Sequence, residues 1–265
     1  ISMYYWLNMK TKEKILSGVF LILFGVLPLH AQIGEHRDEF SIGVNGGYVM
    51  SNVAFVPKVN QGYHGGITGG ISLRYKSEKY FSTICSIMAE INYSQIGWKE
   101  DIMDINNQPV INATTKLAEK YSRTLNYIQV PFLAHLAWGK EYKGMQFFVD
   151  LGPQFGYMIS ESTDMNFELS KRNTTARVNP AIAQDTMKVA NKFDYGIAVG
   201  GGLEYSHPKI GHILFEARYY YGLANIYGSS KRDYFSKSNI GNIVIKATYL
   251  FDISKTKKTK ILKSK

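Results

Sequence analysis

Eight stretches of this chain alternate apolar residues with small or polar ones at a spacing of two, and only a β-strand sends successive side chains to opposite faces. They cover 40–48, 67–76, 84–96, 121–138, 145–159, 193–206, 213–223 and 240–251. Most are at least as long as the roughly 9–11 residues a tilted strand needs to cross a bilayer. Strands of soluble domains usually run to about 5–6. The faces separate cleanly. In 213–223, Ile213, Phe215, Ala217, Tyr219 and Tyr221 oppose Leu214, Glu216, Arg218 and Tyr220. In 193–206, Phe193, Tyr195, Ile197 and Val199 oppose Asp194, Gly196, Ala198, Gly200, Gly202 and Glu204.

One face is apolar throughout, while the other mixes glycine with full charges. A soluble barrel would put the charged face outside and a large apolar core inside. The glycines argue for the opposite arrangement, because a narrow barrel has room only for side chains that fit its lumen. Charges in mid-strand belong inside as well, since Arg or Lys facing lipid at mid-depth costs roughly 2–4 kcal/mol. The links between strands support this independently. Those at 49–66, 97–120, 160–192 and 224–239 are long, and those at 77–83, 139–144 (GKEYKG) and 207–212 (HPKIGH) are short. Long extracellular loops alternating with short periplasmic turns are the mark of an outer-membrane barrel. The reading is therefore an all-β, eight-stranded antiparallel transmembrane β-barrel.

The chain's beginning agrees with export. Residues 1–8 precede Met9. From there a basic stretch (Lys10, Lys12, Lys14), an apolar run at 15–27 and Ala31 before Gln32 follow the order of a secretory signal; the run is too short to span a bilayer as a helix. The expected organisation is 1–8 upstream, 9–31 signal, 32–251 barrel and 252–265 a basic periplasmic tail. A formal charge of +10 is a balance found in nucleic-acid binders, but its distribution here speaks against that. The signal carries +2 and the tail +5, so the barrel keeps 10 − 2 − 5 = +3. The single cysteine, Cys85, rules out an internal disulfide framework.

The predicted lumen holds Arg74, Glu90, Asp150, Asp194, Glu204, Glu216, Arg218 and Lys246, with Asn45, Asn92 and Gln154. Buried charges must pair, so these residues are expected to form a salt-bridged plug; a small polar pore is the functional alternative. No catalytic set is legible. His36 precedes the first stretch, His64 falls in a predicted loop, His135 lies near the periplasmic end of its strand, and His207 and His212 fall in a predicted turn. No Cys/His pattern suits a metal, and neither a cofactor nor a small-molecule ligand is indicated. The expected surroundings are outer-membrane lipid. Two extracellular links stand out: 160–191 is polar with Lys171, Arg172 and Arg177, and IMDINNQPVINATTK suggests a short hairpin.

Four places carry a family resemblance: 42–48 (IGVNGGY), 125–133 (LNYIQVPFL), 151–157 (LGPQFGY) with Ile159, and 193–205 (FDYGIAVGGGLEY) leading into 217–225 (ARYYYGLAN). GYHGG, EINYSQIGWKE and YSRTLNYIQVPFLAHL add to it. Together these resemble the PorT family of outer-membrane β-barrels, widespread in Bacteroidota. The resemblance implies a non-enzymatic role connected with type IX protein secretion, with other secretion-system proteins as partners. A passive structural or small-solute barrel is the alternative. One departure is that Phe251 closes TYLF, yet DISKTKKTKILKSK follows it, so the aromatic residue is not terminal.

Overall fold

The computed structural model describes residues 35–179, 181–228 and 233–254. The upstream octet, the signal at 9–31 and the tail beyond 254 lie outside the described residues. The strands are β1 (Glu35–Val56), β2 (Gln61–Gly62), β3 (His64–Tyr80), β4 (Thr83–Glu100), β5 (Tyr121–Gly139), β6 (Gly144–Met165), β7 (Phe193–His207), β8 (Gly211–Asn225) and β9 (Lys237–Ser254). Each long strand pairs antiparallel with its neighbours, β4 pairs β5, and β1 pairs both β3 and β9. The ring therefore closes with eight long strands, and β2 only extends the top of β4. Closure leaves no sheet edge, as a structure surrounded by hydrocarbon requires.

Every long strand overruns the stretch that alternation marks in the sequence. The turns shrink accordingly: β3 ends at Tyr80 and β4 begins at Thr83, which leaves Phe81 and Ser82 to reverse the chain. Gly139, Gly144 and Gly211, at the ends of the other two turns, have φ of 136°, 133° and 102°. Glycine enters that region without a Cβ penalty.

The outer surface carries a belt of exposed apolar side chains, among them Val44, Ile71, Ile91, Phe132, Leu151, Val199, Phe215 and Ile245. Tyr48, Tyr93, Tyr157 and Phe193 lie toward its loop-side edge; Phe147, Tyr205 and Tyr249 lie toward its turn-side edge. Aromatic girdles at both interfaces belong to a membrane-spanning barrel. Above the belt the chemistry of the two faces reverses while the alternation continues. Along β5, Ile128, Val130, Phe132, Ala134 and Leu136 face out in the belt; Ser122, Thr124 and Asn126 face out above it. The inward positions change to match, with Tyr121, Leu125 and Tyr127 buried at the top.

The strands thus continue past the membrane as a collar with an apolar interior. Phe55 meets Trp98 edge-on at 5.4 Å between ring centroids and Phe235 at 4.8 Å. Tyr227 stacks on Phe235 at 5.6 Å. Arrangements of this kind add about 0.5–1.5 kcal/mol per pair to the burial itself. The link 160–191, polar in sequence, begins as strand up to Met165 and then folds over the collar, burying Phe167, Ala181 and Val189. Isolated bridges Met103↔Pro109 and Ile111↔Ala118 fold the preceding loop back on itself.

The belt's position is testable with a single charge. Val199→Arg faces lipid at mid-strand and should lower stability by about 2–4 kcal/mol, whereas Ser162→Arg, exposed above the belt, should cost about 0–1. Urea titration of liposome-reconstituted protein, followed by heat-modifiable gel mobility, measures both; equal costs would move the membrane boundary.

Candidate functional site

All eight charged residues predicted for the lumen are buried, and the structure divides them into three groups. The first is a quartet at mid-barrel. Arg218 donates to Glu90 through both terminal nitrogens, at 3.0 and 3.1 Å, and to Glu216 through Nε and Nη2, at 2.5 and 3.0 Å. Lys246 donates to Glu90 and lies 3.4 Å from Glu216. Two carboxylates and two cations make the quartet neutral. Asn92 donates to Glu90 at 2.8 Å, and Asn45 donates to Asn92 and Ser72. Glycine makes the room: a Cβ on Gly200 would stand 2.9 Å from Glu216 Oε1, and one on Gly202 2.9 Å from the Phe148 ring.

The second group lies nearer the periplasm. Arg74 Nη1 donates to both oxygens of Glu204 at 2.8 Å. His135 Nδ1 lies 2.7 Å from Asp150 and its Nε2 3.5 Å from Glu204. Below these, Lys76 donates to Glu39 at 2.7 Å, and Arg37 and Lys79 converge on Glu141. Asp194 forms the third group by itself, near the top, accepting from Tyr220 Oη at 2.7 Å.

His212 is not in a turn but is the second residue of β8, facing inward and 5% exposed. Its Nδ1 lies 2.8 Å from Ser206 Oγ, and its Nε2 lies 3.0 Å from Asp252. The trio has the composition of a hydrolase triad without the access one needs. Ser206 is fully buried, its hydroxyl is held by Glu204 and Gln146, and His212 Nδ1 is also 2.7 Å from Glu204. His135 lies near the periplasmic end of β5, as expected. Two others are displaced from their predicted places: His36 lies in β1, and His64 is the first residue of β3, with Nε2 3.1 Å from Thr124 Oγ1. Among the described residues no group of three or more His, Cys, Asp or Glu is placed to hold a metal ion.

A further polar cluster lies in the collar, and apart from Arg123 its charged members fall in links outside the alternating stretches. Arg123, inward on β5, donates to the carbonyls of Gln184 and Met187, to Tyr227 Oη and to Glu161, and its guanidinium lies 5.7 Å from the Trp98 ring. It thereby ties the loop 166–192 to the wall. Arg177 donates to Glu119 at 2.9 Å and lies 3.5 Å from Asp185, while Arg172 donates to Asp185 at 3.1 Å. Gln184 donates to Glu100 at 2.9 Å. Burial opposes the charge on Glu119, but hydrogen bonds from Asn112, Asn173 and Arg177 outweigh it and hold its carboxyl below the usual range. Glu100 goes the other way. Burial, and then the neighbouring Asp185, push it up to about 8; Asp185 is raised too, chiefly by burial.

A family model described as an outer membrane protein beta-barrel domain matches residues 30–228. Among solved structures, this fold is similar to the attachment invasion locus protein Ail of Yersinia pestis (14% identity, 82% of this chain and 99% of that one, TM-score 0.31). It is also similar to OprG of Pseudomonas aeruginosa (14%, 82% and 98%, TM-score 0.37) and to Neisserial surface protein A (10%, 82% and 100%, TM-score 0.37). No curated protein matches the chain.

Two outcomes follow from these clusters. Glu90→Gln leaves two buried cations short of a carboxylate and should cost about 3–5 kcal/mol in urea titration, with part recovered when Lys246→Met is added. Glu100, raised in the folded protein, stabilises the cap formed by the loop 166–192 fully below the ordinary carboxylate range and loses that contribution as pH rises toward about 8. Hydrogen-exchange protection of 181–190, corrected for intrinsic exchange, should therefore fall between pH 5 and pH 9, and Glu100→Gln should remove the dependence.

Proposed function

Because the chain belongs to the outer membrane protein beta-barrel domain family, we propose that it works in the outer membrane as a closed, non-enzymatic scaffold, and that the process it assists is protein secretion of the type IX kind. The observation that carries the first part is the filled lumen. The Glu90–Glu216–Arg218–Lys246 quartet crosses the barrel at mid-depth, ion pairs close it below, and the Phe55–Trp98–Tyr227–Phe235 cluster closes it above. A solute would have to break paired buried charges, at several kcal/mol each. With the interior committed to packing, partners meet the collar, the loops and the outer wall.

The second part rests on the sequence resemblance to PorT. The matching segments at 42–48, 125–133, 151–157 and 193–205 fall in β1, β5, β6 and β7. The absence of catalysis belongs to the same proposal and is supported by the inaccessible Ser206.

Two measurements separate the readings. Purified barrel in planar bilayers should give no conductance steps. A deletion strain should lose export of particular cargo with unchanged solute uptake and unchanged lipid A acyl chains. Regular conductance would restore the pore; normal secretion in the deletion strain would remove the secretion role; altered acyl chains would point to an enzyme.

A further inference from the structure

On the outer wall a cleft of about 460 Å³, which the closed lumen does not explain, reaches from Tyr48 at the loop-side edge of the apolar belt up the collar to Lys99 and Lys120. Two glycines, Gly65 in its lining and Gly97 on the neighbouring β4, leave room there. Gly65 leaves space for the Tyr48 ring, since a Cβ there would stand 1.8 Å from Tyr48 Oη. Gly97, buried on β4 and paired with Thr124 of β5, has no side chain in the way, and His64 reaches across the strand to Thr124.

Lys99 and Lys120 line this cleft together with Tyr63. Among the described residues neither ammonium has an ion-pair partner, and Asp164, also in the lining, pairs with neither. Burial, and then the Lys99 charge, hold the His64 imidazole below its usual value. The site is therefore a recess with two uncompensated cations and hydroxyl groups from Tyr48, Tyr63 and Ser122.

Its lower end, which borders the belt, favours a lipid over a soluble anion. Below Gly65 the same wall continues into Ile67 and Ile91, both more than half exposed. A molecule with its anionic head in the cleft can thus run its chains down the lipid-facing surface. We propose that the cleft binds the phosphate-bearing headgroup of an outer-leaflet glycolipid, Lys99 and Lys120 pairing with the phosphate and the tyrosines contacting the sugar. Charge-assisted hydrogen bonds to phosphate are among the stronger polar contacts a protein makes. The proposal is independent of any secretion role.

The test uses the full chain folded in detergent, with native mass spectrometry as the readout and diphosphoryl lipid A, an uncharged glycolipid and inorganic pyrophosphate as probes. One diphosphoryl lipid A should bind, and Lys99→Gln with Lys120→Gln should weaken it by about tenfold or more. Lys99→Arg with Lys120→Arg should retain it. Lys58→Gln with Lys116→Gln, a charge-matched change elsewhere on the surface, should have no effect. Heat-modifiable mobility establishes that each variant is folded. Equal binding by the Gln pair and the wild type, or equal binding of the uncharged glycolipid, would overturn the site. Pyrophosphate binding as tightly as lipid A would overturn the lipid assignment in favour of a soluble phosphate.

Discussion

Closing β1 onto β9 is the constraint from which the rest of the structure follows. In hydrocarbon every backbone N–H and C=O needs a partner within the protein, and the ladder from Ser41↔Asp252 to Val56↔Lys237 supplies those of the first and last strands together. Eight strands set a narrow bore. Its side chains must then fill it, and any charge they bring must be neutralised there. Gly200 and Gly202, across from Arg218 and Glu216 in the β7–β8 ladder, are one solution to that double demand: absent side chains make space for a bulky ion pair.

The lumen is zoned because its surroundings are. At membrane depth the outer face must be apolar, so the alternation leaves polar residues to fill the inside. Above the membrane the outer face meets water, and the inside becomes an ordinary protein core with Ile96, Trp98, Leu125 and Tyr127 almost entirely buried. β5 passes through both regimes without breaking its alternation. The change of chemistry between Asn126 and Ile128, rather than a change of secondary structure, marks the upper edge of the bilayer on that strand.

This explains what was legible in the sequence. The period of two located every membrane-spanning strand, because burial in lipid enforces it most strictly there. The same reasoning placed Arg74, Glu90, Glu216, Arg218 and Lys246 on the inward face; parity alone could have added Lys76, the last residue of 67–76, and also Glu39 had the first stretch begun one residue earlier. Which carboxylate would meet which cation was not legible. Glu90 and Arg218 are 128 positions apart, and the pairing depends on the girth of the closed ring. The collar was hidden for a different reason. Its strands have polar outer faces and apolar inner ones, the pattern of a soluble sheet, so a search for apolar exteriors stops at the membrane edge. His212 was misplaced because HPKIGH reads as a turn, yet Gly211 with φ of 102° already belongs to β8 and turns His212 inward.

The cap shows how a polar loop becomes ordered without a helix. The described residues of 166–192 contain only two short 3₁₀ turns, Leu169–Lys171 and Ala183–Asp185, so few of the loop's backbone groups can be satisfied locally. Arg123 compensates from the wall, donating to two loop carbonyls at once, and the loop's own Arg172 and Arg177 neutralise Asp185 and, in the preceding link, Glu119. The cost is concentrated at Glu100, buried beside Asp185 and held more readily as the neutral acid than as the carboxylate. A loop fixed by side chains in this way presents a constant surface, whereas a solvated loop would have to be ordered by each partner that bound it. Ordering costs about 1–2 kcal/mol per backbone residue, and here the contacts from the wall and the loop's own ion pairs offset it within the fold.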